Sequence, residues 1–291
     1  MHPIDKTCAR RSFERAAAEY DRVAVLQREM ADRLLSRLDY IRLAPHRIVD
    51  LGAGTGYAIE PLTRRYPKAQ MLALDFAHAM LLHARRRGRW WRRPLCVCAD
   101  AEALPLADQS VDLIVSNAAF QWCNDLERTF GECRRVLRPG GLLLFTTFGP
   151  GTLQELRAAW SQVDAYTHVS PFLDMHDIGD ALVRARFADP VMDADRLTLT
   201  YDSVAGLMRD LKTLGARNAT ATRPRTLSGR ARLAAVAQAY EMQRRDGRLP
   251  ASYEVLYGHA WAPEVDAPVC RGGEVAIPVS AIGRLRRALA P

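Results

Sequence analysis

Two patterns of hydrophobic positions follow one another along the chain. Over the first 40 residues, apolar side chains recur at helical spacing across residues 13–20 and again across residues 26–38, which predicts two helices. From His46 onwards, short apolar runs alternate with amphipathic stretches. We predict that five of these runs are strands, over residues 48–51, 71–75, 95–98, 111–115 and 142–146. Strands separated by helices are joined by right-handed crossovers, which favours a parallel sheet.

The second half of the chain adds helices and two further strands. Its helical stretches are predicted over residues 153–160, 202–214 and 228–244. Two runs that alternate between apolar and polar residues predict strands over residues 196–201 and 253–257. Together with the five earlier runs they make seven strands. We therefore expect an α/β fold with a doubly wound, mostly parallel, seven-stranded sheet.

These elements divide the chain into four parts. The sequence Arg138-Pro-Gly-Gly141 predicts a turn that ends a helix over residues 124–137 and opens the fifth strand. We expect N-terminal cap helices over residues 1–45, a core over 46–149, a helical insertion with the last strands over 150–260, and a tail over 261–291. The helical insertion belongs to the same domain as the core.

A glycine-rich loop follows the first predicted strand, where residues 49–56 read Val-Asp-Leu-Gly-Ala-Gly-Thr-Gly. Its glycines, Gly52, Gly54 and Gly56, let the chain turn tightly and let the backbone approach a ligand. Nineteen residues after the last of them, Asp75 ends the second strand, where a carboxylate can accept hydrogen bonds from both hydroxyls of a ribose. The loop therefore predicts a nucleoside ligand.

The spacing of the loop and two further acids indicate which nucleoside binds. Dinucleotide loops usually read GxGxxG, whereas this loop reads GxGxG. Asp50 precedes the first glycine by two residues and can face a cationic amino-acid end. Asp100 ends the third strand, where it can accept from an adenine amine while the Ala101 N–H reaches the ring. Over residues 46–149 these features resemble the class I S-adenosylmethionine-dependent methyltransferases, which implies a Rossmann-like core and S-adenosyl-L-methionine as co-substrate.

The acceptor of the methyl group is less closely defined. A carboxylate with a pKa near 4 is already ionised at neutral pH, whereas an alcohol needs a general base. The fourth strand leads into Ser116-Asn-Ala-Ala-Phe-Gln-Trp122 and lacks the Asn/Asp-Pro-Pro-Tyr/Phe run of many nucleic-acid methyltransferases. Open alternatives are a small carboxylate, a quinone precursor or tRNA, and a cofactor-binding assembly protein without turnover.

The chain also resembles the malonyl-acyl carrier protein O-methyltransferases of biotin synthesis over about residues 8–260. The matching stretches are residues 12–21, 26–28, 116–122, 145–147, 211–218 and 224–227. This resemblance implies methyl esterification of the free carboxylate of a malonyl thioester, carried by an acidic acyl carrier protein or by coenzyme A. Masking that charge would let fatty-acid enzymes extend the ester as an ordinary acyl chain.

The resemblance also implies roles for residues near the cofactor. Tyr20 and Gln27, on the first helices, are interpreted as a lid over the cofactor, with Tyr20 in the catalytic set. Their alternative is packing on a helix surface. Asn117, at the end of the fourth strand, is assigned to the cofactor site. Trp122 is expected to form a wall of the site.

Other residues are candidates for contacts with the acceptor. Arg217 and Arg223, with Arg225 as a third candidate, are predicted to hold the malonyl carboxylate, since a guanidinium can contact both oxygens. His168 is predicted to hydrogen-bond the thioester carbonyl or the carboxylate. For each arginine the alternative is a solvated surface charge, and for His168 it is a structural contact.

Composition narrows the class of protein. Hydrophobic residues make up 48% of the chain and charged residues 25%, which is typical of a globular protein. No apolar run approaches the roughly 18 residues of a spanning helix. We see no secretory signal, so we expect no membrane contact and a cytoplasmic location. Cys96 and Cys98 lack CxxC spacing and are interpreted as small buried hydrophobes, and no metal site is expected.

The net charge of +8 indicates an anionic partner. Three lysines leave 38 arginines among the 41 basic residues. Charge alone does not choose between nucleic acid, anionic lipid and an acidic protein. The family resemblance favours an acidic acyl carrier protein, which a basic rim would steer towards the acceptor site, and makes nucleic acid an unlikely partner. The densest basic cluster, residues 85–93 with Trp90 and Trp91, is left without a role.

Overall fold

A seven-stranded sheet occupies the centre of the computed structural model, which describes residues 3–88, 92–221, 223, 229–264, 269–271 and 274–276. Its strands are β1 (Arg47–Leu51), β2 (Gln70–Asp75), β3 (Leu95–Cys98), β4 (Val111–Asn117), β5 (Leu137–Phe148), β6 (Ala188–Tyr201) and β7 (Leu249–Trp261). They lie in the order β3-β2-β1-β4-β5-β7-β6. Neighbouring strands pair in parallel, except that β7 is antiparallel to β5 and β6. The predicted α/β class and doubly wound sheet are confirmed.

Helices precede the sheet and cover both of its faces. The helices before β1 are α1 (Lys6–Ala16), α2 (Tyr20–Val23) and α3 (Val25–Ser36), followed by a 3-10 turn (Arg37–Tyr40). Those between the strands are α4 (Ile59–Arg65), α5 (His78–Ala84), a 3-10 turn (Phe120–Trp122), α6 (Leu126–Val136), α7 (Gln154–Ser161), α8 (Met175–Arg184), α9 (Val204–Thr213) and α10 (Arg230–Glu241). A separate antiparallel pair, β8 (Val269–Arg271) and β9 (Glu274–Ala276), lies in the predicted tail.

Apolar side chains pack on both faces of the central strands because helices shield both faces from water. On one face, α3 contributes Met30 and Leu34. On the other face, the ring of Phe130 in α6 lies 5.6 Å from that of Phe145 in β5. Gly258 of β7 leaves room for this ring, since a Cβ there would lie 2.3 Å from it. This packing fixes the strand ends that carry the site.

Two boundaries differ from the sequence prediction. The predicted turn at Arg138-Pro-Gly-Gly141 lies inside β5, where the register with β4 shifts after Val111 and Gly140 adopts a φ of +75°. The helix ends and the fifth strand opens here as predicted, but a bulge within β5 takes the place of the predicted turn. The strand predicted from residue 196 begins at Ala188. It pairs with β7 as an edge strand, and acidic residues along its first half hide the apolar alternation.

The paired cysteines of β3 are less buried than predicted. Cys98 is exposed and Cys96 is half-buried, because β3 is an edge strand of the sheet. The interpretation of both as buried hydrophobes is therefore wrong for Cys98. Each thiol lies near a backbone carbonyl, that of Leu81 for Cys96 and that of Phe76 for Cys98. Within the described ranges, no group of three or more His, Cys, Asp or Glu side chains could hold a metal ion.

None of the described helices is long and apolar enough to span a membrane. The division of the chain at residues 45, 149 and 260 stays a prediction. Part of the basic cluster, residues 89–91, lies outside the described residues, and so does most of the tail.

Candidate active site

A cavity of about 660 Å³ opens at the carboxyl ends of β1, β2, β3 and β4. We call it the cofactor cavity. Seven of the residues predicted from the sequence line it: Tyr20, Gly52, Gly54, Asp75, Asp100, Ala101 and Asn117. Parallel strands bring these residues together because their carboxyl ends meet at one edge of the sheet.

The glycine loop requires glycine for two physical reasons. All three glycines have positive φ, at +72° for Gly52, +53° for Gly54 and +82° for Gly56. A Cβ on Gly52 would lie 2.3 Å from the Cβ of Ala119. A Cβ on Gly56 would lie 2.9 Å from the Cα of Ala84, so Gly56 sets the packing of the loop on α5 and does not line the cavity.

Asp75 joins the loop to the end of β2. Its Oδ2 accepts from the Gly54 N–H at 2.9 Å, and its Oδ1 accepts from the Ala77 N–H at 2.8 Å. Burial raises the pKa of this carboxyl to about 6, against the opposing effect of the backbone hydrogen bonds. The carboxyl therefore faces the cavity with its position fixed by backbone groups.

Asp50 lies beneath the loop, outside the cavity lining. It is 2% exposed, and its Oδ2 has no hydrogen-bond partner. Burial, followed by the charge of Asp75, raises the pKa of Asp50 to about 7. A buried carboxyl with an unpaired oxygen favours a nearby cation, so the site fits a ligand with a cationic end.

Lys6 is a cavity residue that sequence reasoning missed. Its Nζ donates to both oxygens of Asp100 at 2.7 Å and lies 2.8 Å from Oε1 of Glu102. Burial alone lowers the pKa of Lys6, but the hydrogen bonds to these two carboxylates outweigh it and raise the pKa. No local pattern links residue 6 to residue 100, because the contact depends on how α1 folds over the sheet.

Contacts at three further residues hold the cap helices over the cofactor cavity. Glu14 of α1 accepts from the N–H groups of His78 and Ala79, at 2.7 Å and 2.9 Å, and so caps α5. Asp21 of α2 accepts from the Thr55 hydroxyl of the glycine loop at 2.5 Å and also pairs with Arg87. The backbone oxygen of residue 27 accepts from the Asn117 amide at 2.9 Å.

A second cavity of about 840 Å³ adjoins the first. We call it the acceptor cavity. The two cavities share four lining residues, Phe13, Tyr20, Ala118 and Trp122. Gln27 lines the acceptor cavity and not the cofactor cavity, whereas Tyr20 lies at their junction. None of the described residues that line the acceptor cavity is a lysine, an arginine or a histidine.

The predicted arginine contacts lie elsewhere. Arg223 donates to Asp5 at 3.1 Å and to the Thr220 carbonyl at 3.0 Å, which ties it to the start of α1. Arg217 is exposed and does not line the acceptor cavity. Arg225 lies outside the described residues. Neither Arg217 nor Arg223 therefore lines the acceptor cavity, because the segment that follows α9 turns towards the N-terminal segment.

His168 also lies away from the junction of the two cavities. Its Nε2 is 2.7 Å from Oδ1 of Asp164, and its ring stacks on Trp160 with centroids 3.5 Å apart. It lines a third, more open cavity with these two residues. The contacts match the structural alternative for His168 rather than the predicted contact with the acceptor.

Comparisons with known proteins agree with this geometry. The profile of a methyltransferase domain matches residues 49–145. The crystal structure of the YcgJ protein from Bacillus subtilis has a TM-score of 0.58 at 16% identity, covering 81% of this chain and 99% of that chain. Sheet order, glycine loop and cofactor cavity thus define a class I S-adenosylmethionine-dependent methyltransferase.

Curated relatives narrow this class to one family. The malonyl-[acyl-carrier protein] O-methyltransferase of Gallionella capsiferriformans is 54% identical, covering 89% of this chain and 92% of the relative. Its counterpart in Halorhodospira halophila is 52% identical, with 98% and 97% covered. The chain belongs to the malonyl-[acyl-carrier protein] O-methyltransferase family. The resemblance stated from the sequence is confirmed.

Proposed function

We propose that this chain is an S-adenosylmethionine-dependent carboxyl O-methyltransferase that esterifies the free carboxylate of a malonyl thioester. Relatives that match nearly the whole chain carry that activity in their names. The proposed step belongs to the synthesis of the pimeloyl part of biotin. There, a methyl ester would let an acid-ended acyl chain be extended as an apolar one.

The observation that carries this proposal is the lining of the acceptor cavity, in which Asp210 is the one described carboxyl and no described residue is a histidine or a lysine. Asp210 lies near the Tyr201 hydroxyl, and its charge adds to the effect of burial on the pKa of that phenol. Burial raises the pKa of Tyr201 to about 12, so this phenol stays neutral at physiological pH. An alcohol acceptor would need a base here, whereas a carboxylate is already ionised and needs none.

The bound co-substrate supplies a methyl group on sulfur: a carboxylate oxygen forms the new C–O bond, the C–S bond breaks with its electron pair moving to sulfur, and no proton is transferred. The protein then has to align the acceptor and exclude water. Tyr20 and Trp122 suit both tasks, since they line both cavities where these meet. Burial raises the pKa of Tyr20, which keeps its hydroxyl neutral and able to donate.

The cofactor residues take the following roles in this proposal. Asp75 accepts from the ribose hydroxyls, and Asp100 with the Ala101 N–H reads the adenine edge. Asp50 supplies the negative charge that faces the cationic amino-acid end of the cofactor. This role suits Asp50 because one of its carboxyl oxygens has no hydrogen-bond partner. Gly52 and Gly54 let the chain pass close to the ligand, Asn117 lines the cofactor cavity, and Gly56 positions the loop. We propose no role for a metal ion.

The partner in this proposal is an acidic acyl carrier protein, with malonyl-coenzyme A as a second acceptor. The net charge of +8 suits such a partner. Two exposed cations of α9, Arg209 and Lys212, make no ion pair with any other described residue. On the same helix, Leu211 lines the acceptor cavity. We propose a cytoplasmic location, where such thioesters are made.

Product analysis tests the proposal. The purified protein is mixed with labelled S-adenosylmethionine and, in parallel, with malonyl-acyl carrier protein, succinyl-acyl carrier protein, malonyl-coenzyme A and bulk tRNA. We expect base-labile methyl ester on the malonyl thioesters, detected by mass spectrometry, and little or none on the succinyl thioester. No ester on either malonyl thioester, with cofactor binding intact, would refute the proposal.

A further inference from the structure

The lining of the acceptor cavity includes one carboxyl and no described basic side chain. Its polar lining consists of Asp210 together with the neutral side chains of Tyr20, Gln27, Gln121, Trp122, Thr152, Ser170, Tyr201 and Tyr253. Some of these are already paired: the Gln121 amide donates to the Ala118 carbonyl at 2.6 Å and accepts from Thr147. The groups still free to bind an acceptor are therefore few.

Gln27 is the clearest of these free groups. Its Oε1 is buried and has no hydrogen-bond partner, although its backbone oxygen is fixed by the Asn117 amide at 2.9 Å. A buried amide oxygen without a partner costs stability, so this place favours a ligand that can hydrogen-bond to the amide. Half a turn about the last side-chain bond exchanges Oε1 with the NH₂ group, so the same place can offer a donor to an anion.

Trp122 offers the second donor. It lines both cavities and is half-buried, and its ring meets that of Phe13 edge to face at 5.1 Å. That contact and the 3-10 turn Phe120–Trp122 fix the orientation of the indole. Its indole N–H donates to no acceptor among the residues that the structure describes. An indole can only donate, which suits a carboxylate.

We propose that the Gln27 amide and the Trp122 indole N–H hold the acceptor carboxylate with neutral hydrogen bonds, in place of an arginine clamp. This inference rests on the proposed function. The reaction removes the negative charge of the carboxylate, so a cation paired with it would stabilise the reactant more than the transition state. Neutral donors orient the carboxylate nucleophile and lower its reactivity less than a paired cation would. They also bind a neutral ester more weakly than the anionic reactant, which favours release of the product.

Two substitutions test this arrangement. Trp122→Phe keeps an aromatic ring but removes the N–H, and Gln27→Leu removes the amide at similar size. We expect each to lower kcat/KM for malonyl thioesters about 10- to 100-fold, because a hydrogen bond to a charged group is lost. Cofactor affinity, measured by calorimetry, is expected to change less than threefold. The preference of the protein for a malonyl thioester over its methyl ester, measured by competition, is expected to fall in both variants.

Controls separate this inference from the proposed function and from misfolding. Trp160→Phe and Gln162→Leu make the same chemical changes outside the acceptor cavity, and we expect near wild-type kinetics from both. Wild-type protein that forms no ester refutes the proposed function. If wild type forms ester while both variants keep kcat/KM within threefold of it, the neutral-donor arrangement is wrong. A large rise in KM in Arg217→Ala or Arg225→Ala, with intact cofactor binding, would also overturn it.

Discussion

The carboxyl of Asp50 lies beneath the glycine loop with one oxygen unpaired, and its pKa of about 7 exceeds the ordinary value of 3.8. Between pH 3.8 and about pH 7, folding of the cofactor-free protein is therefore coupled to the uptake of a proton by Asp50. The contribution of Asp50 to stability is present at low pH and is lost as pH rises towards 7. The full shift of about three pH units corresponds to a cost of up to about 4 kcal/mol above pH 7.

We predict that Asp50→Asn stabilises the cofactor-free protein, more at pH 8 than at pH 5, because asparagine carries no charge into the same buried position. The melting temperature at pH 8 should rise by several degrees. Thermal melts across this pH range measure the effect. Asp180→Asn replaces an exposed aspartate and serves as the matched control, with no expected pH trend. A pH trend in Asp50→Asn equal to that of wild type would contradict the assignment.

The same carboxyl should make cofactor binding depend on pH. A cationic ligand end favours the ionised form of Asp50 and lowers its pKa, so binding near pH 6.5 releases protons. We expect the affinity for S-adenosylmethionine to increase from pH 6 to pH 8. Calorimetry in buffers of different ionisation enthalpy counts the protons released. Proton release that persists unchanged in Asp50→Asn would assign it to Asp75, whose pKa is also raised.

At the scale of secondary-structure elements, contacts with segments far along the chain hold the first helix, α1, in place. The segment before α1 bridges residue 220 through Ile4, and Asp5 caps the helix by accepting from the Cys8 N–H at 2.9 Å. Arg223 contacts that same carboxyl, and the pKa of Asp5 is held below its usual range first by the cap hydrogen bond and then by Arg223. Arg223 thus acts on α1, which carries Lys6 into the cofactor cavity.

We predict that Arg223→Ala weakens cofactor binding rather than acceptor binding. Loss of the contact with Asp5 loosens α1, so the KM for S-adenosylmethionine should rise about 2- to 5-fold, as expected for one partly exposed ion pair. The KM for the malonyl thioester should change little. Arg217→Ala removes a neighbouring exposed arginine and should leave both constants near wild type. A selective rise in the acceptor KM of Arg223→Ala would restore the role predicted from the sequence.

Elements were predictable from sequence where their signal is local. The strand, glycine loop and helix of residues 47–65 are contiguous, and parallel pairing then places Asp75 and Asp100 at the same edge. Contacts between distant segments left no such signal. Lys6 meets Asp100 across 94 positions, and Arg223 meets Asp5 across 218. The acceptor contacts were hard to place from sequence for this reason: an arginine is a plausible anion ligand anywhere, and only the path of the chain after α9 decides what it reaches.

At the scale of the whole molecule, the positive net charge guides an acidic carrier protein to the acceptor cavity only if unpaired cations lie near that cavity. Helix α9 meets this condition, since it presents Leu211 to the acceptor cavity and Arg209 and Lys212 to solvent. An acidic carrier protein that delivers its acyl arm here would meet those two cations. Such attraction acts mainly on the rate of encounter and weakens as salt screens it.

We predict that the double variant Arg209→Glu with Lys212→Glu raises the KM for malonyl-acyl carrier protein about tenfold or more at low salt, because two attractions become repulsions. The KM for malonyl-pantetheine, which has no protein part, should stay within twofold. Arg86→Glu with Arg93→Glu changes the net charge equally on exposed residues away from α9 and should have a smaller effect. Since net charge is matched, equal losses in both double variants would mean that the whole surface attracts the carrier and that α9 has no special part in docking.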